Sequence, residues 1–136
     1  MRIVFDTNVV LDALLLRPDA QAAVRLVSAA AEEIIEGLIT ANTITDIYYI
    51  ARKSLGNEKT REVIGELLTL FQVIPVTGGT CEMALQIDMD DYEDAVAAIC
   101  AMQAGADYIV TRDQGFLDAQ SPVSAVSPKE ALELLS

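Results

Sequence analysis

The sequence has no histidine and no tryptophan, and only two cysteines in 136 residues. Without an imidazole, hydrolysis cannot use a histidine base, and carboxylate-held metal becomes the leading alternative. Cys81 and Cys100 fit neither a disulfide framework nor a zinc spacing. Cys100 falls on the apolar stripe Val96-Ile99-Cys100-Gln103, so both are read as core or near-core thiols. Basic residues are scarce, nine against 21 acidic for a net charge of −12. That balance argues against broad electrostatic adhesion to nucleic acid or an anionic membrane, and leaves room only for a local basic patch. No segment approaches the apolar length of a membrane span. The N-terminus, one arginine followed by Asp6, lacks the form of a signal peptide. The expectation is a cytoplasmic protein with no membrane partner. Internal repeats, low-complexity tracts and linkers are absent as well.

What the chain does have is apolar content, 52% of its residues, enough for a packed core in one domain spanning residues 1–136. Strand and helix patterns alternate throughout. This predicts an α/β, three-layer sandwich with a central parallel sheet of about four to five strands between helices. Arg2 to Phe5 reads as a buried first strand. Val9 to Leu16 follows as a short helix stopped by Pro18, and Asp19 is the expected cap of an alanine-rich helix reaching about Ala31. Gly37 to Thr40 is a second strand, and Thr43 is expected to open a helix carrying Ile47, Tyr48, Ile50 and Ala51. Asn57 is the expected cap of a further helix with Val63, Ile64, Leu67, Leu68 and Phe71 at helical spacing. Val73 to Val76 is a third strand. Gly78-Gly79 is expected to break the chain before a helix around Met83 to Ile87. Tyr92 to Ala104 is a helix, Tyr108 to Thr111 a fourth strand, and Val123 to Val126 a short fifth. Ser127-Pro128-Lys129-Glu130 has every feature of a helix start.

Four acids stand out against this frame. Asp6 ends a buried strand, where open parallel sheets bind ligands, although Asp6 or Asn8 would also serve as a helix cap. Asp113 follows the fourth strand, where a turn aspartate is equally at home. Asp94 lies in the acidic run Asp90-Asp91-Tyr92-Glu93-Asp94, whose members suit the first turn of a helix. Its small neighbours Ala95, Ala98 and Ala101 permit close approach to the sheet. Asp46 matches a capping box in Thr43-Ile44-Thr45-Asp46, with Asp in the usual place of Glu. Strand C-termini and helix N-termini share one edge of a parallel sheet, so the four are expected to converge. Two like charges about 4 Å apart repel by about 1 kcal/mol in water and about 4 at an effective dielectric of 20. Convergence therefore demands protonation or a cation, and all-oxygen donors select Mg²⁺ or Mn²⁺.

Three blocks together carry a resemblance to a known family. They are Ile3-Val4-Phe5-Asp6-Thr7-Asn8, the run Ile44-Thr45-Asp46-Ile47-Tyr48-Tyr49-Ile50-Ala51-Arg52-Lys53, and the stretch from Asp91-Tyr92-Glu93-Asp94-Ala95 to Thr111-Arg112-Asp113-Gln114-Gly115-Phe116. In that order they resemble the PIN-domain nucleases, including VapC-like toxins of toxin–antitoxin pairs. The resemblance implies an acidic quartet of Asp6, Asp46, Asp94 and Asp113, supported by Thr7, Asn8 and Thr111. It also implies a homodimer and an antitoxin partner. The implied activity is a Mg²⁺- or Mn²⁺-dependent endoribonuclease, in which water attacks an RNA phosphodiester in line. Asp6, Asp94 and Asp113 are the expected direct ligands, with Asp46 either binding metal or orienting the water. Arg112, Arg52, Lys53 and Arg17 are candidate phosphate contacts, though each is otherwise an ordinary surface charge. Two departures separate this chain from the family: Asp46 replaces the usual Glu, and Gly115 stands where an acid often precedes the phenylalanine.

Other readings compete. A haloacid-dehalogenase-type phosphatase wants a second aspartate two residues after the first, where Asn8 stands. A receiver domain wants a lysine after a late strand, and none lies between Lys59 and Lys129. A PIN-like module that binds protein or RNA without cutting is the alternative left open by Asp46 and Gly115.

Overall fold

The computed structural model describes residues 1–136. Five parallel strands form one sheet in the order β3-β2-β1-β4-β5. They are β1 (Arg2–Phe5), β2 (Glu36–Thr40), β3 (Gln72–Ile74), β4 (Tyr108–Val110) and β5 (Ala125–Val126). The helices are α1 (Thr7–Leu15), α2 (Gln21–Ala31), α3 (Ala41–Leu70), α4 (Gly78–Ala84), α5 (Tyr92–Gln103), α6 (Gln114–Asp118) and α7 (Pro128–Leu135). The first strand is thus central, paired with β2 on one side and β4 on the other.

Strand side chains alternate between two cores, as a pleat with period two requires. Ile3, Phe5, Ile39 and Val110 enter the core under α1, α2, α3 and α7. Val4, Leu38, Ile109 and Ile74 enter the other, under α4, α5 and α6. On the first face the ring of Phe5 meets that of Phe71 edge to face at 5.0 Å. Gly37 is required beneath that pair, because a Cβ there would fall 2.8 Å from the Phe71 ring. On the second face Ala95, Ala98 and Ala101 are all buried, and their small size lets α5 lie close to the sheet. Cys100 is buried beside them, while Cys81 is partly exposed.

Several expected boundaries move. Asp19 is not a cap: its φ is 63°, and α2 is preceded by Ala20 with no side-chain cap. The third helix opens at Ala41 after Thr40, not at Thr43. It is broken by a kink at Gly56 (φ 78°), beyond which a second helical segment runs on, where a further helix capped by Asn57 was expected. β3 stops at Ile74, before Pro75. Gly78 and Gly79 do not precede α4 but form its first turn, because Thr77 and Thr80 cap each other reciprocally. The short helix α6 has no counterpart in the sequence reading. The Ser127 box at α7 forms as expected, with Ser127 and Glu130 each bonding the other's backbone N–H.

Candidate active site

β1 and β4 are neighbours, and the polar residues that follow them are tied together. Asp6 ends β1 with its N–H on the Val110 carbonyl at 3.0 Å. Its carboxylate does two things. Oδ1 accepts from the Thr7 N–H at 3.0 Å and so caps α1, and Oδ2 accepts from the Thr111 hydroxyl at 2.8 Å. Thr111 is fully buried, and its oxygen also accepts from the Asp113 N–H at 3.1 Å. Asp113 precedes α6 but makes no side-chain cap bond, so its carboxylate is left facing outward. Asp6 is thus a helix cap that also holds Thr111, whereas Asp113 caps nothing.

Thr7 reaches the other way. Its hydroxyl donates to Thr43 at 3.2 Å, Thr43 pairs with Thr40 at 3.0 Å, and Thr40 donates to Asn42 Oδ1 at 2.7 Å. This chain of hydroxyls seats the start of α3 against β1. It also disposes of the capping-box reading of Asp46: the helix begins five residues earlier, and Asp46 sits in its second turn. There its carboxyl lies near that of Glu93, whose pKa its negative charge helps to raise.

At α5 it is Asp91 that caps the helix, accepting from the Asp94 N–H at 3.0 Å. Asp94 is thereby turned toward the strand ends, half-buried. Burial, then Asp91, Asp6, Asp113 and Glu93, push its carboxyl from an ordinary 3.8 up to about 7. Burial also raises Asp6, and Asp113 adds to the rise, against the Thr111 and Thr7 hydrogen bonds and the positive charge of Arg112. Glu93 is raised by burial, then by Asp46, Asp91 and Asp6. Asp6, Asp94, Asp113 and Glu93 thus feel one another's negative charge, and Asp46 acts on Glu93. A groove of about 480 Å³ opens beside Asp94 and Asp113, and Asp88, Asp90, Asp91 and Asp118 line it further out. Asp6 and Asp46 lie outside that groove.

The donors are all carboxylates, which fits a hard, oxygen-seeking cation. No three of the acidic side chains close into a single coordination shell, so an ion would have to draw them inward by side-chain rotation. Gly115 stands beside Asp113, with a Cβ position 3.5 Å from Asp113 Oδ2. The glycine therefore leaves Asp113 without the acidic neighbour that an Asp or Glu would supply there.

The basic candidates divide. Arg112 and Arg17 both bind Asp12, through Nε at 2.8 Å and Nη1 at 3.3 Å, and Arg17 Nη1 also donates to Asn8 Oδ1 at 3.1 Å. Arg52 and Lys53 are exposed on α3, and the Arg52 guanidinium lies over the Tyr49 ring at 5.3 Å. Lys53 is seven residues from Asp46, two helical turns along the same face. Sequence reading missed Thr40, Thr43, Asp12 and Glu93. The signal for Glu93 was present in the acidic run, but helix-start preference accounted for it equally well.

Fold and site together define a parallel α/β domain with an acidic centre at the C-terminal edge of its sheet. The chain belongs to the PIN-domain family: a PIN-domain family model matches residues 2–115. It is a family of nucleases that generally use divalent metal ions. Among solved structures the fold is similar to VapBC2 of Rickettsia felis bound to a promoter DNA fragment (TM-score 0.70, 16% identity, 93% of this chain and 98% of that one). It is also similar to DNA-bound VapBC of Salmonella typhimurium (0.70, 18%, 94% and 98%). A third is VapC20 of Mycobacterium tuberculosis, a toxin that cleaves the sarcin-ricin loop (0.66, 19%, 88% and 95%). No curated protein matches by sequence. No helix is long and apolar enough to cross a membrane.

Proposed function

We propose that this protein is a divalent-metal-dependent endoribonuclease and the toxin of a toxin–antitoxin pair. The observation that carries the reading is the gathering of Asp6, Asp94 and Asp113 at the strand ends, where burial first, then Asp91, Asp6 and Asp113, push Asp94 up to about 7. Such crowding is costly unless a cation relieves it. Mg²⁺ or Mn²⁺ bound there would supply an activated water and neutralise charge on the phosphodiester. Asp6, Asp94 and Asp113 would hold the ion, and Asp46, backed by Glu93, would orient the water or add a ligand. Thr111 and Thr7 keep the Asp6 carboxylate in one rotamer, and Asn8 tethers Arg17. Arg112, Arg17, Arg52 and Lys53 would take RNA phosphates, locally, because the net charge of −12 gives no long-range attraction.

The toxin assignment draws on the family and on solved neighbours that are themselves toxin–antitoxin complexes. An antitoxin and a second copy of the chain are the proposed protein partners. The deciding experiment is cleavage of single-stranded RNA with Mn²⁺, with Mg²⁺ and with EDTA, comparing the native chain with Asp6→Asn and Asp94→Asn. Cleavage that needs metal and is lost in both variants supports the reading. Metal-independent cleavage, or none under any condition, overturns it. In the second case a non-cutting PIN module becomes the better description, in line with the short side chain of Asp46 and with Gly115.

A further inference from the structure

Asp12 is the sole charged residue among the buried ones, at 7% exposure on the second turn of α1. A lone buried carboxylate is unfavourable by several kcal/mol unless paired. Here each oxygen takes a different arginine: Oδ1 takes Arg17 Nη1 at 3.3 Å and Oδ2 takes Arg112 Nε at 2.8 Å. The two arginines arrive from separate segments, one from the turn after α1 and the other from the loop after β4, next to Asp113. Arg17 is further fixed by Asn8 at 3.1 Å.

The pairing has two consequences. Two guanidiniums on one carboxylate leave a net positive charge, set against a chain of net −12. And because Arg112 is held through Nε alone, both of its terminal amino groups remain available, on a side chain that is 52% exposed. A guanidinium presents donors in a planar fork matched to phosphate oxygens. Arg112 also neighbours acids that would otherwise claim it. Lying across Asp6 or Asp113 it would neutralise the very carboxylates the site needs, and the bond to Asp12 holds it to one side.

We infer that Asp12 is a positioning residue that holds Arg17 and Arg112 together as an anion site for a nucleic-acid phosphate beside the acidic centre. For RNA as the source of that phosphate, the inference rests on the function proposed above.

The experiment has two arms. Without metal, inorganic phosphate is titrated into the protein while the arginine Nε–H resonances are followed by NMR. The expected result is a saturable shift at Arg112 and Arg17, lost in Asp12→Asn, whose amide spectrum reports whether the fold is kept. Arg17→Ala and Arg112→Ala, both on partly exposed side chains, read the same site should Asp12→Asn misfold, and each is expected to weaken phosphate binding. With Mn²⁺ and a short single-stranded RNA, Asp12→Asn is expected to raise KM about tenfold and leave kcat within about twofold. Adding Asp12→Asn to Arg17→Ala/Arg112→Ala should make it no worse, since both groups that Asp12 positions are then already gone. Phosphate shifts without RNA cleavage leave the anion site standing and remove the ribonuclease reading. An absent phosphate shift, or one that survives in Asp12→Asn, overturns the inference, as does an unchanged KM in an Asp12→Asn enzyme that still cleaves.

Discussion

The Thr111 hydroxyl donates to Asp6 Oδ2 at 2.8 Å, joining residues 105 positions apart at the ends of two adjacent strands. Its one hydrogen is spent on Asp6, so its oxygen can only accept from the Asp113 N–H, and it does so at 3.1 Å. A single buried hydroxyl thus sets the orientation of one acid and the backbone of another.

Thr111→Val keeps the shape and removes the bond. It leaves a largely buried carboxylate oxygen and the Asp113 N–H without this partner, a loss of about 1–3 kcal/mol. Urea denaturation should report that loss, and Mn²⁺-dependent cleavage should fall with it. Thr111→Ser should restore most of both. Equal stability in the valine and native proteins would show that the hydroxyl holds nothing.

Asp94 gives the stability a pH dependence of known sign. Its folded carboxyl is raised to about 7 from an ordinary 3.8. A raised acid binds its proton more tightly when folded, so its contribution to stability is complete below about 3.8 and is lost as pH rises through about 7. Metal-free protein should therefore melt at lower temperature at pH 8 than at pH 5.5, with the slope reduced in Asp94→Asn. A slope identical in the two proteins would place the responsible group elsewhere.

Divalent ions should reverse that loss. An ion bound only by the folded state stabilises by about 2.7 kcal/mol at one hundred times its Kd. Melting curves across millimolar Mn²⁺ at pH 8 should rise in the native protein and stay flat in Asp6→Asn. A flat native curve would count against the acidic centre as an ion site.

The α3 face carries a further expectation. Tyr49 is 57% exposed and Ile50 36%, and Tyr48 packs edge-on against Tyr49 at 5.2 Å. An exposed tyrosine and isoleucine in succession, beside a half-buried Tyr48, suit a partner surface. Light scattering at tens of micromolar should give a dimer, and Tyr49→Glu should give a monomer that remains folded. A native monomer at that concentration would refute it.

Gly37→Ala should destabilise by about 1–3 kcal/mol, since the added carbon meets the Phe71 ring at 2.8 Å. Phe71 rests on Phe5, the residue before Asp6, so the shift should also disturb the site. Near-ultraviolet circular dichroism and urea unfolding would register both. A neutral effect would mean the ring yields freely.

Asp6 and Asp113 were legible because strand ends in a parallel sheet are where ligand groups collect, and the strand pattern was plain. Alternating apolar runs likewise carried the layer order. Capping was harder to place. Thr40, Thr43 and Thr45 are chemically equivalent candidates, and only the hydroxyl chain from Thr7 selects Thr40 as the start of α3. Asp19 looked like a cap but takes a left-handed conformation after Pro18. Asp12 gave no local signal, because its two partners lie five and one hundred residues away. Glu93 was hidden for the opposite reason, as one of several acids any helix start would welcome.

The central place of β1 also governs when the protein can act. Phe5 has no partner on one side until Val110 is made, and Asp6 has no hydroxyl until Thr111 follows. Ribosomes emit the N-terminal acid first and the residues that orient it last. A growing polypeptide that still ends before β4 therefore holds Asp6, Asp46 and Asp94 but lacks Thr111 and Asp113. Translation itself would keep the proposed nuclease silent, with its acidic centre completed only once nearly the whole chain is free to fold.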